Sequence, residues 1–173
     1  DNPAVPLRIM VSVQSGRQYL MAYSIPFGGI SSFRIDNLIS VKTDRVEEHF
    51  EEMRAELDRM LPHMWGVSTQ NRSGQPMEHV EFTIRYRDDE THIPLRLERE
   101  KWIGSVEHLD GYTSRFTADV YDASEMVPWI RTFICRIVSI HISDRELEEQ
   151  FRDDISAMYE LYGLEGGEKN DLQ

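Results

Sequence analysis

Side chains able to do covalent or metal chemistry are few in this sequence, and none of them form a pattern. Cys135 is the only thiol, so it has no partner for a disulfide or a paired-cysteine metal knuckle. It lies among apolar residues and reads as an inert core thiol. The histidines His49, His63, His79, His92, His108 and His141 show no i, i+4 spacing. A metal site would have to be assembled by tertiary contacts alone, so none is expected. Gly28-Gly29 lacks the spaced glycines and the Lys-Ser/Thr of a phosphate loop, and no Gly-x-Ser-x-Gly occurs. Glu47 and Glu51 fall on a solvated helix face, where nothing shields a carboxyl from water. His141 is in phase with Ser139 and Ser143 on a strand face and reads as structural. No catalytic residue and no cofactor are expected.

Charge is the remaining lead. The 173 residues carry a formal net charge of −12, with a pI near 4.9. That balance argues against nucleic-acid binding over the whole surface. The charge is uneven: residues 1–43 are net +2, residues 44–61 net −4 and the rest net −10. Arg8, Arg17, Arg34 and Lys42 face only Asp1 and Asp36 in the first stretch, the one part suited to meeting an anion. Arg34 has a competing structural reading as an ion pair with Asp36 on the same strand face.

The elements that would position these residues follow from patterning. Residues 5–13 and 18–25 read as a hairpin around a Gln14-Ser15-Gly16-Arg17 turn, and residues 31–41 as a third strand bent at Asp36-Asn37. Asp44 and Glu47 read as a capping box for a helix over 45–61 that Pro62 stops. Breaker-rich residues 65–77 read as a linker. Beyond it come a strand (80–86), a helix (93–102), a hairpin about Asp110-Gly111, a helix (124–133), a strand (135–142) and a last helix capped by Asp144 or Ser143. Residues 166–171 read as a frayed tail. The order βαββαβ plus one helix predicts an α+β fold, a split βαβ sheet with helices on one face. No apolar run reaches the roughly 20 residues of a membrane-spanning helix, and the lone cysteine fits a reducing cytoplasm. No leader is visible at the start, and the chain reads as a piece of a longer one.

Gln18-Tyr19-Leu20, then Ala22-Tyr23, then Ser32-Phe33-Arg34-Ile35-Asp36-Asn37-Leu38 resembles the core of the WYL domain, with Gln18 in place of the namesake Trp. Met126-Val127-Pro128-Trp129-Ile130, Ile137-Val138-Ser139-Ile140 and Met158-Tyr159-Glu160-Leu161-Tyr162-Gly163 resemble the C-terminal extension that follows WYL domains in bacterial regulators. The resemblance implies a partial Sm/SH3-like small β-barrel over 1–43, lacking its opening strand before Pro3. A connecting helix and linker over 44–70 and a ferredoxin-like βαββαβ extension over 71–173 would follow. It also implies a cytoplasmic homodimer that senses a nucleotide or short single-stranded nucleic acid and meets DNA only through an upstream domain.

Tyr19 and Arg34 match the family's ligand-facing positions, with Arg8 and Arg17 as added charge. Ser31 and Asn37 stand where the family carries arginines. Each lost guanidinium removes a charge-assisted phosphate contact of roughly 1.5–3 kcal/mol. The competing expectation is a pairing scaffold, or an accessory to a CRISPR or phage-defence system, with a degenerate ligand site. Tyr19 would then be a strand aromatic packed beneath the helix.

Overall fold

The computed structural model describes residues 2–12 and 15–163. It is a mixed α+β structure with two antiparallel sheets. Strands β1 (Ala4–Val11), β2 (Gln18–Ser24) and β3 (Gly29–Arg34) form the first sheet in the order β1-β2-β3. Gly28 takes a left-handed φ of +64° at the β2–β3 turn, which its missing Cβ permits. The sheet is an open three-stranded layer and does not close into a barrel. Gln14 of the expected first turn and the expected tail at 166–171 lie outside the described residues.

Residues directly opposite in antiparallel strands share a face. One face of the first sheet carries the rows Val5–Tyr23–Ile30, Arg8–Met21–Ser32 and Met10–Tyr19–Arg34. Helix α1 (Phe50–Met60) covers this face, its Leu57 joining Met21, Ile30 and Met64 in a small buried core. The other face shows the row Ile9–Leu20–Phe33, with Ile9 61% exposed.

The helix starts five residues later than the capping box predicts. Glu47 accepts the His49 amide instead of closing on Asp44, and His49 caps the helix without a side-chain bond. Residues 39–47 carry no regular structure, and Ile39, Val41 and Val46 stand exposed. The third strand likewise ends at Arg34, where a single 3-10 turn (Ile35–Asn37) replaces the expected continuation.

The second sheet has the order β5-β6-β4-β7, built from β4 (Glu78–Arg85), β5 (Ser105–Asp110), β6 (Thr113–Val120) and β7 (Ile137–Ile142). All its neighbours are antiparallel. Helices α2 (His92–Glu100), α3 (Val127–Arg131) and α4 (Arg145–Leu161) bury Leu97, Ile130 and Phe151 against Val80, Phe82, Ile84 and Phe116. Fully buried side chains of this kind each contribute roughly 1.5–3 kcal/mol. Helix α3 has five residues, with Pro128 in its first turn, and follows a separate 3-10 turn (Ala123–Glu125), where the sequence predicts one longer helix. Asp144 caps α4 by accepting the Glu146 and Leu147 amides, as expected.

Two further features depart from expectation. Cys135 is exposed in the turn before β7, because the strand begins two residues later than its apolar pattern suggests. The breaker-rich stretch after Pro62 is pinned at its start rather than free. Met64 enters the first core, while Trp65 lies 4.7 Å from Trp129 in the second. The Glu125 carboxylate accepts the backbone amides of Gly66, Val67 and Ser68 at 3.1, 3.0 and 3.2 Å. Thr69 donates its hydroxyl to the Ile30 carbonyl, and Tyr121 donates its amide to that of His63.

Helix α4 also closes the outer edge of β7. Glu148 accepts the Ile142 amide at 2.9 Å, and Arg152 donates to the Ile140 carbonyl at 3.0 Å. Glu148 and Arg152 are themselves an i,i+4 ion pair, so the pair occupies edge groups that a further strand would use.

Candidate functional site

Strand pairing brings Tyr19 and Arg34 together. They are directly opposed on β2 and β3, on the face that α1 covers, at the end of the sheet beyond the buried Met21 core. Tyr19 is half-buried and does not join that core, so it is not packed beneath the helix in the way Tyr23 is. Met10, on β1, completes the row.

The guanidinium of Arg34 is engaged within its own strand end. Its Nε donates to Asp36 Oδ1 at 3.0 Å and its Nη2 to Oδ2 at 2.6 Å. The 3-10 turn following β3 makes this fork possible by folding Asp36 back over Arg34. The hydrogen bonds from Arg34 hold the Asp36 carboxyl below the usual carboxylate range, and burial only partly offsets them. Reciprocally, the Asp36 bond raises the Arg34 guanidinium further above its ordinary value, and Tyr19 contributes in the same direction. Arg17, exposed beside the β1–β2 turn, acts on the same Asp36 carboxylate.

Arg8 belongs to the next row and reaches the helix instead, donating to Asp58 at 3.1 Å. Tyr19, Arg34 and Arg17 therefore form one group around Asp36, and Arg8 stands apart, tied to α1. The ion pair expected of Arg34 with Asp36 is therefore present, and an incoming anion would have to compete with Asp36 for the fork. Asp58 as the partner of Arg8 is invisible at sequence level, since only the tertiary fold brings positions 50 residues apart together.

Outside this group the structure assembles one further constellation that spacing did not reveal. His108 Nδ1 lies 2.8 Å from Ser114 Oγ and its Nε2 lies 3.6 Å from Glu98. Tyr86 Oη shares the same serine hydroxyl at 2.9 Å. Ser114 is fully buried, so no acyl group can approach it and the series works as an internal hydrogen-bond chain. Two hollows, of about 450 and 520 Å³, open at this end of the second sheet, and none of Arg8, Arg17, Tyr19 or Arg34 lines them.

Among the described residues no group of three or more His, Cys, Asp or Glu side chains is arranged to hold a metal ion. Nor is any helix among them long and apolar enough to cross a membrane. The open face of the second sheet carries His79, Glu81, Thr83 and Arg85 on β4, and Arg115, Thr117 and Asp119 on β6. Its central aromatics, Phe82 and Phe116, face the core, and the rings on the open face are His79 and His141, 6.5 Å apart. Compared with known proteins, the chain matches no protein-family model and no curated protein.

Proposed function

We propose that this chain is the effector-sensing and pairing region of a cytoplasmic WYL-family bacterial transcriptional regulator, with DNA contact supplied by a domain upstream. On this reading the first sheet is the remnant of an Sm-like barrel. The second half is a ferredoxin-like extension through which two copies associate. The succession β4-α2-β5-β6-α3-β7 with strand order β5-β6-β4-β7 supports the second assignment.

The observation that carries the reading is the directly opposed pair Tyr19–Arg34, with Arg17 acting on the same Asp36. An aromatic ring directly opposite one arginine, with the charge of a second felt at the same carboxylate, suits a nucleotide or a short single-stranded oligonucleotide. The ring offers a stacking face worth about 1–3 kcal/mol per base, and the arginines take the phosphate. Asp36 then acts as an internal competitor that the ligand must displace.

Fluorescence anisotropy of a labelled oligothymidine across a salt series tests this. Binding should weaken with a log–log slope of about −0.7 for each phosphate neutralised. Arg34→Ala should flatten the slope by about that amount and Tyr19→Ala should weaken binding at every salt concentration. Asp36→Asn, which frees the fork, should strengthen binding. Equal binding by all three variants and the parent chain overturns the reading.

A second reading is favoured by the neutralised state of the arginines. With Asp58 on Arg8 and Asp36 on Arg34, and with Ile9 and Val11 exposed on the outer face, the first sheet suits protein contact. The chain would then be a scaffold or defence-system accessory. Association in light scattering with no salt-sensitive oligonucleotide binding would favour it.

A further inference from the structure

The two outer edges of the second sheet are treated differently. The β7 edge is occupied by Glu148 and Arg152. The β5 edge makes no backbone hydrogen bond outward among the described residues. Its residues are largely exposed, Leu109 at 41%. Alongside it runs α2, whose Glu98 contacts His108 at 3.6 Å beside a hollow of about 520 Å³.

The floor and walls of that hollow are apolar where Tyr86, Pro94 and Leu95 line it, and Leu95 is 68% exposed. Its rim is acidic. Asp88, Glu98 and Asp110 oppose one guanidinium, Arg87, which lies 3.7 Å from Asp89 and 3.4 Å from Glu90. Glu98 is satisfied by Lys101 at 2.7 Å. Asp88 and Asp110 have no cationic partner among the described residues; Asp88 lies near the Tyr112 hydroxyl and raises its pKa, and Asp110 accepts the Tyr112 amide.

We propose that the groove between α2 and the free edge of β5 is a docking site for an extended, basic segment of a partner protein, which adds to the sheet as a fifth strand. The bare edge supplies main-chain hydrogen bonds. Alternate side chains of the incoming strand fall into the groove. Arginine or lysine suits these positions, because the aliphatic stem can lie on Tyr86 and Leu95 while the charged head reaches Asp88 or Asp110. Charge complementarity selects this occupant over an acidic or neutral one. The site is separate from the Tyr19–Arg34 group and does not depend on the reading given for it.

The test uses the full chain and a fluorescein-labelled, capped hexapeptide of alternating arginine and valine, followed by anisotropy and by amide shifts in NMR. Binding should be saturable, with shifts confined to β5, the β5–β6 turn and α2. A fully N-methylated version of the peptide, unable to donate to a strand edge, should bind about tenfold or more weakly. A glutamate–valine peptide should not bind. Leu95→Gln keeps the charge but removes the apolar wall and should cost about tenfold. Asp110→Asn keeps a good turn and should reduce both affinity and its salt dependence. Equal binding of the N-methylated peptide, or shifts centred on β1 or spread over the acidic surface, would overturn the proposal. So would a dimer formed through β5 that excludes the peptide, or no saturable binding at all.

Discussion

Replacing Gly66 with alanine should destabilise the protein through a contact 59 residues away in sequence. A Cβ at this position would lie 2.4 Å from Glu125 Oε1 and 2.6 Å from its Cδ. Ordinary contacts between heavy atoms are about 3.5–4.0 Å, so the carboxylate must retreat by roughly 1 Å. All three amides it accepts, at 3.0–3.2 Å, then lose their acceptor. A hydrogen bond to a charged group contributes about 1.5–3 kcal/mol. The site is only part-buried, so water recovers much of the sum, leaving a loss of about 2–3 kcal/mol. Gly66 does not have a left-handed φ, so alanine also restricts the unfolded chain, which returns about 0.4–1 kcal/mol. The net cost is about 2 kcal/mol, a fall in Tm of roughly 4–8 °C for a chain of this size.

Thermal and urea unfolding of four proteins measures it: the parent, Gly66→Ala, Glu125→Ala and the double variant. Once the carboxylate is gone the added methyl has nothing to displace, so Gly66→Ala in the Glu125→Ala background should be neutral or slightly stabilising. Equal costs in both backgrounds would refute the steric argument, and a stabilised single variant would refute the bonding one.

The remaining predictions concern other parts of the fold. Gly104→Ala should cost more than Gly66→Ala, about 3 kcal/mol or above in urea unfolding, because φ is +80° and the new Cβ meets the Thr117 backbone carbonyl at 2.5 Å, which cannot swing away. Glu148→Ala removes the acceptor from the Ile142 amide, and light scattering should detect larger assemblies than the parent forms at the same concentration. Acid sensitivity follows from Glu148 and Glu100. Burial opposes the charge of each most strongly, yet the Ile142 amide, Arg152 and His141 hold Glu148 low, and Arg96 with Arg99 holds Glu100 low. Carboxyls held low in the folded state stabilise it fully above their unfolded pKa, about 4.3, and lose that contribution as pH falls through the folded value. The urea midpoint should therefore be flat above about pH 5 and drop below about pH 4; an unchanged midpoint at pH 3 would contradict this.

Local chemistry made much of this fold readable. The hairpin at Asp110-Gly111, the Asp144 cap and the β1–β2 hairpin rest on neighbours in sequence, and each is present. Where a local signal competed with tertiary contacts it failed. The Asp44 box resembles a helix start, but only from Phe50 onward does the chain follow a helix that packs on the first sheet. Cys135 sits in an apolar run, yet the turn that aligns Phe133 and Ile137 with the core leaves the intervening thiol outside. Breaker-rich composition after Pro62 said linker, and nothing local could reveal that Glu125 would hold its backbone. In the candidate site, only the family resemblance grouped Tyr19 with Arg34, because the β2–β3 register that opposes them has no local signal. The pairing of Arg8 with Asp58 depends on where α1 docks and was not legible either.

The helix ion pair on β7 has a consequence for assembly. Growth of a filament from stacked copies demands two adhesive rims per unit, one to receive and one to offer. In the four-stranded sheet Glu148 and Arg152 plug one rim from within the same chain, so that sheet is monovalent. Whatever strand joins it at β5 ends the series there, and association through this sheet stops at two members.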